Sequence, residues 1–272
     1  MKRLFRNRFA IVGLLLVTME VFLAVFASVI TPYEPNVMDY KALLQNPNTE
    51  HLLGTDELGR DILTRMMYGA RLSLTVGTTA VLIAVCLGVP FGLISGYVGG
   101  VFDEIMMRVV DSIMALPALV LALTISAVLG SGLVNATIAI AVVTAPTYTR
   151  LVRGQVLAIK QNDYVVAAQS IGAPTWRVLV RHLLPNTLSP VIVQASLGIG
   201  FAIILESSMS FIGLGAMPPT PSWGNMVQIG FQFLEIAPWC VLAPATAIFL
   251  AVLGFNMLGD GLRDALDPQS GT

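Results

Sequence analysis

Six stretches of this chain are almost continuously apolar: 9–30, 72–98, 105–129, 134–156, 188–212 and 238–260. Each is close to the roughly 20 residues that a helix rising about 1.5 Å per residue needs to cross a hydrocarbon core about 30 Å thick. The runs are continuous, without the two-residue rhythm of a membrane barrel, and so predict helices. The third run is the least clean, because Arg108 and Asp111 fall in its first turns, spaced to pair at i,i+3. Two acids, Glu20 and Glu206, also interrupt apolar runs. A charge at the bilayer centre costs about 2.5–3.5 kcal/mol on insertion scales, so such residues face the interior of a bundle. Glu206, close to the end of its run, is the candidate for a pathway- or interface-facing residue, and Glu20 reads as a hydrogen-bonding group between helices. Gly77, Gly88, Gly92, Gly96, Gly198 and Gly200 mark close helix packing.

Composition supports the membrane reading. Of 272 residues, 56% are hydrophobic and 11% charged, whereas soluble domains carry about 25% charged residues. Mean hydropathy is +0.80. A net charge of −1 implies no nucleic-acid partner. Cys86 and Cys240 both lie inside apolar runs and suggest neither a disulfide framework nor a metal site. The first run is long enough to span, and no small-residue cleavage site precedes Thr31-Pro32, so it reads as a retained anchor and not a secretory signal. Basic residues set the orientation: Lys2, Arg3, Arg6 and Arg8 precede the first run, and Arg150, Arg153, Lys160, Arg177 and Arg181 lie around the fourth-to-fifth connection. With six crossings both groups fall on one side, the cytoplasmic one, together with Arg263 and both termini. Lys41, Arg60, Arg65 and Arg71 are an unusual basic load for the outer segment 31–71.

Three polar stretches stand out between the runs. "DYVVAAQSIGAPTWRVLVRHLLPN", 163–186, reads as a short helix with Asp163 as N-cap, ending near Ser170 with Gly172 in the left-handed position. Pro174 then fits the start of a second helix that leads to Pro185 and the fifth run. A short helix fixed at its end by glycine makes a rigid knob, suited to pushing on a partner or to resting on lipid headgroups. "GLGAMPPTPSWGNM", 213–226, is too rich in glycine and proline for one helix. It reads as a re-entrant or gate-like loop near the outer mouth, with Trp223 either part of that gate or an interfacial anchor. "GTDELGRD", 54–61, reads as a capped helix start, with Thr55 or Asp56 as N-cap, and secondarily as a docking surface.

The first of these stretches resembles a known pattern. "AAQSIG" followed by "HLLP" is similar to the "EAA" loop of permease subunits of bacterial ATP-binding-cassette importers, with Ala167, Ala168, Gly172 and Pro185 matching and Val166 replacing the usual glutamate. "HLLGTDELGRDILTRMMYGARLSLTVG" (51–77), "SFIGLGAMPPTPSWGNM" (210–226) and "GDGLRDALDP" (259–268) resemble the dipeptide/oligopeptide/nickel branch of that family, so the likeness covers nearly the whole chain. It implies an all-α membrane protein with six transmembrane helices, a type I ABC importer permease fold with a cytoplasmic coupling helix. The division it implies is an anchor and extracytoplasmic segment at 1–71, a five-helix core at 72–262 with the coupling loop at about 157–187, and a cytoplasmic tail at 263–272. The implied setting is the bacterial inner membrane. The implied partners are a second homologous permease, two cytosolic ATPases that bind ATP and Mg, and an extracytoplasmic binding protein delivering di- or oligopeptides. Nickel chelates and glutathione-like peptides are the alternative cargoes.

Other classes find less support. No G-x-x-x-x-G-K-[ST] occurs, and none of the three lysines sits in a phosphate-binding setting, so an ATP site is not expected in this chain. No H-E-x-x-H or G-x-S-x-G occurs, and no catalytic residue or cofactor is expected. His51 and His182 have no third ligand nearby in sequence, which argues against a metal site. A stand-alone proton-coupled carrier stays open as the alternative of another class, although residues 9–130 and 134–260 share no motif of the kind inverted repeats produce.

Overall fold

The structure, a computed structural model, describes residues 7–266, all but six residues at each end. Lys2, Arg3, Arg6 and the tail beyond Leu266 lie outside the described residues. The chain forms α1 (Arg8–Ile30), α2 (Ile62–Val98), α3 (Gly100–Met114), α4 (Ala118–Leu129), α5 (Leu133–Ile159), α6 (Asp163–Ser170), α7 (Thr175–Val178), α8 (Leu184–Ile212), α9 (Trp223–Phe231) and α10 (Trp239–Leu266). Among the described residues there is no strand, only one isolated bridge between Thr55 and Asp61.

Among the described residues, four helical stretches are individually long and apolar enough to cross a membrane: α1, α2, α10, and α7–α8 running on as one helix from Thr175 to Ile212. A fifth comes from α3 and α4 taken together, and the expected count of six is not reached on this measure. α5 is long enough, at 27 residues, but Asn135, Thr144, Thr147, Tyr148 and Arg150 dilute its apolar character. The run expected to be one span at 105–129 is a second correction. It is broken into α3 and α4, which meet at 92°. Pro117 sits at the break, where it disfavours helical geometry for Leu116 and serves as N-cap of α4. Arg108 and Asp111, both on α3, do not pair with each other: Arg108 pairs with Glu104 at 2.8 Å, and Asp111 with Arg150 of α5.

α2 starts at Ile62, ten residues before its apolar run, because Asp61 caps it by accepting from the Thr64 amide. Neither Thr55 nor Asp56 is the cap. α2 and α5 form the most extensive pair in the fold, and α8 lies against both α2 and α10. Three glycines on one face of α2 make the α2–α5 approach possible. A Cβ on Gly88 would fall 2.6 Å from the Ala145 carbonyl oxygen, one on Gly92 2.5 Å from that of Thr149, and one on Gly96 2.8 Å from Val156 Cβ. Around this seam lies the main core, with Val76, Ala80, Ala84, Ile140, Ala202 and Met209 all buried.

Candidate functional site

The helix expected at 163–170 is present, and its two faces differ. Asn162, not Asp163, is its N-cap in extended conformation; Asp163 is the first helical residue, where its charge complements the free amides of the first turn. The chain leaves the helix through a Schellman turn: the Gly172 amide donates to Gln169 O at 2.9 Å and the Ala173 amide to Ala168 O at 3.1 Å. Gly172 has φ +80°, and a Cβ there would meet nothing within 4 Å. The glycine is therefore demanded by the backbone and not by its neighbours.

Val165 and Ala168, one turn apart, are buried. Val165 joins Val152, Val156, Val178 and Leu183 in a small core at the end of α5. Gln169 Nε2 donates to the Tyr97 hydroxyl at 3.3 Å, and Lys160 Nζ to Gly96 O at 2.9 Å, which ties the loop to the last turn of α2. Arg153 grips Asp103 at 2.6 and 3.1 Å beside Ser95, closing the same end of the bundle. The opposite face is open: Val166 and Ala167 are exposed, Ile171 is 86% and Trp176 63% accessible, and Pro185 lies exposed in the first turn of α8. Asp163, Val166, Ala167, Ala168, Gly172 and Pro185 are thus collected at one end of the bundle, and the last two buried contacts of α6 seat it there. What sequence reading missed is the exposed apolar set of Ile171 and Trp176 beside Val166.

Glu206 and Trp223 lie toward the other end. Glu206 is fully buried between α2 and α8, accepting from Ser73 Oγ at 2.9 Å and Ser210 Oγ at 2.7 Å. Trp223 is also fully buried, its Nε1 donating to Met66 O at 3.0 Å, so it is not an interfacial anchor. Residues 213–222 are irregular, as expected, but a helix begins at Trp223, secured by a capping box between Ser222 and Asn225.

Arg60 and Arg65 are buried and paired, whereas Lys41 is exposed. Arg60 Nε binds Asp56 at 2.7 Å and its Nη2 binds Glu57 at 2.8 Å, while Arg65 Nε lies 3.4 Å from Asp56 and its Nη1 donates to Pro35 O at 2.8 Å. His51 Nδ1 is paired with Asp61 Oδ1 at 3.0 Å. Burial, and next the neighbouring Asp56, push the Glu57 carboxyl above its ordinary range.

A bundle of membrane-length helices with a two-faced helix held out at one end is the architecture of a membrane transport subunit. Residues 88–271 match the binding-protein-dependent transport system inner membrane component family, and residues 1–47 match the N-terminal transmembrane domain of oligopeptide transport permease C. The chain belongs to the former family. It is 47% identical over 268 residues to the dipeptide transport system permease protein DppC of Alkalihalophilus pseudofirmus, covering 98% of this chain and 88% of that one. It is 43% identical over 269 residues to the glutathione transport system permease protein GsiD of Pectobacterium atrosepticum, covering 98% and 89%. A solved chain of the MetNI methionine ABC transporter in inward-facing conformation superposes with TM-score 0.61 at 18% identity, covering 74% of this chain and 96% of that chain. The fold is that of a type I ABC importer permease.

Proposed function

We propose that this chain is one half of the translocation pathway of an ATP-driven importer of di- or oligopeptides in a bacterial inner membrane, with both termini in the cytoplasm. α6 is the coupling helix, and a cytosolic ATPase grips its exposed face. ATP binding draws two such ATPases together, moves α6, and through Val165 and Ala168 rocks α5 and α8 against the second permease. The path then opens outward to receive peptide from a binding protein, and hydrolysis resets it. The chain supplies pathway and lever; ATP and Mg are held by its partners. Glu206 and Trp223 act on the outer side of this motion, as the interhelical tie and the closing wedge of a gate.

The observation that carries this reading is α6, buried through Val165 and Ala168 yet exposing Val166, with Ile171 of the following turn and Trp176 of α7 exposed beyond it. An apolar socket on the ATPase replaces the polar contact that a glutamate at position 166 would make. Relatives named for glutathione, a tripeptide, make short thiol peptides the second cargo to test. The experiment is Ile171→Asp in the complete importer. ATPase co-purification should fall at least tenfold while membrane insertion is unchanged. Full retention of the ATPase contradicts the docking assignment.

A further inference from the structure

The loop end of the bundle opens into a groove that the coupling helix does not use. Between α5, α8 and the end of α10 lies an opening of about 710 Å³. It adjoins a second, of about 390 Å³, that continues along α5 and α8 to the α3–α4 break. The two share Gln194 and Leu197. From Pro185 to Phe201 the groove follows α8 for about 24 Å at 1.5 Å per residue, most of a bilayer's hydrocarbon thickness.

Its walls repeat at helical spacing. Thr144, Thr147, Tyr148 and Gln155 fall on one stripe of α5, facing Ser189 and Gln194 on α8. The side-chain amides of Gln155 and Gln194 and the Thr147 hydroxyl carry no hydrogen bond to any described residue. At membrane depth an amide without a partner is expensive unless it faces water or a polar occupant. Thr144, Thr147 and Tyr148 of this stripe are among the residues that dilute the apolar character of α5. Tyr148 forms the floor, its hydroxyl placed beside α8 by Gly198, where a Cβ would fall 2.4 Å from that oxygen.

The lining chemistry is selective. It offers neutral donors and acceptors amid Leu197, Phe201 and Met114, and among the described residues the charged side chain lining it is Arg263 at the inner mouth. Among the described residues its lining holds no carboxylate, imidazole or thiol that would ligate a metal ion. Resting on the peptide-importer reading, we propose that this α5–α8 groove is the cargo-contacting wall of the pathway. Gln194 and Thr147 exchange hydrogen bonds with the uncharged amides of a peptide backbone, and the apolar residues accept varied side chains.

The test uses the complete importer in proteoliposomes with a labelled dipeptide, and two variants. Gln194→Leu should lower uptake about tenfold, the effect of one lost charge-free hydrogen bond and a desolvated amide, while co-purification of the ATPases is unchanged. Gln194→Cys, in a Cys86→Ser background, should react with a water-soluble maleimide, and millimolar dipeptide should slow the reaction. Uptake by Gln194→Leu equal to wild type overturns the proposal. So does an unreactive Gln194→Cys, the result expected if a helix of the partner permease fills the groove. So does labelling indifferent to peptide. Failure of the wild-type importer to take up any short peptide refutes the peptide reading itself, and is told apart because it precedes either variant.

Discussion

Gly172 gives the most discriminating perturbation, because the surrounding space is empty. A Cβ there touches nothing within 4 Å, so any effect of substitution comes from the backbone at φ +80° and not from a clash. Holding an ordinary L-residue in the left-handed region costs about 1–2 kcal/mol, least for Asn and most for a β-branched side chain. The turn it closes has two hydrogen bonds, from Gly172 and Ala173, and these hold the exposed end of α6 at Ile171. Strain of that size shifts the formed turn roughly fivefold for Gly172→Ala and roughly thirtyfold for Gly172→Val, with Gly172→Asn nearly silent. In proteoliposomes with both ATPases, the ratio of peptide taken up to ATP hydrolysed should fall in the order Gly, Asn, Ala, Val, at constant membrane insertion. A Val variant with wild-type coupling would refute the reasoning, as would an Asn variant no better than Val.

Other outcomes follow from buried groups. Asp56→Ala leaves Arg60 and Arg65 buried against one lost carboxylate, and should destabilise the detergent-solubilised protein by about 3–5 kcal/mol, read as a lowered Tm. Trp223→Ala removes a fully buried indole and should cost about 3–5 kcal/mol, while Trp223→Phe, which loses the bond to Met66 O and only part of the ring volume, should cost less. Glu206→Ala leaves Ser73 and Ser210 without their acceptor; it should impair uptake without loss of ATPase binding, and normal uptake would contradict its proposed role. Because the Glu57 carboxyl is raised in the folded protein, folding favours its protonated form. Stability from this group is therefore present at low pH and declines as pH rises from the ordinary carboxylate value through the raised one. Thermal unfolding of Glu57→Gln should lack that share of the pH slope, and superimposable profiles would contradict it.

Much of the fold was legible because continuous apolar runs and helix-ending glycine are local signals. The helix at 163–170 and the left-handed Gly172 were both readable from sequence, as was the glycine face of α2. Most of the misses have non-local causes. α2 begins at the Asp61 cap, and its first turn tolerates Arg65 because Asp56 neutralises it and Pro35 O, thirty residues away, accepts from it; hydropathy along the chain is blind to such partners. The break at Leu116 needed only one proline, yet the apolar residues on both sides masked it. The sequence left Trp223 open between gate and interfacial anchor because its burial depends on Gly69 of α2 making room, with Trp223 Cδ1 3.1 Å from where a Cβ would stand. Of the site, the loop was readable and the groove was not, because the polar positions of α5 and α8 acquire meaning only when the two helices lie side by side.

The central claim is that force reaches this chain from a separate ATP-consuming subunit through α6. The most direct measurement is labelled dipeptide accumulation in vesicles containing both permeases and the binding protein, with the ATPases either present or omitted. Accumulation against a gradient is expected only with ATPases and ATP together, abolished by vanadate and indifferent to a proton uncoupler. Accumulation without the ATPases, collapsed by the uncoupler, would contradict it.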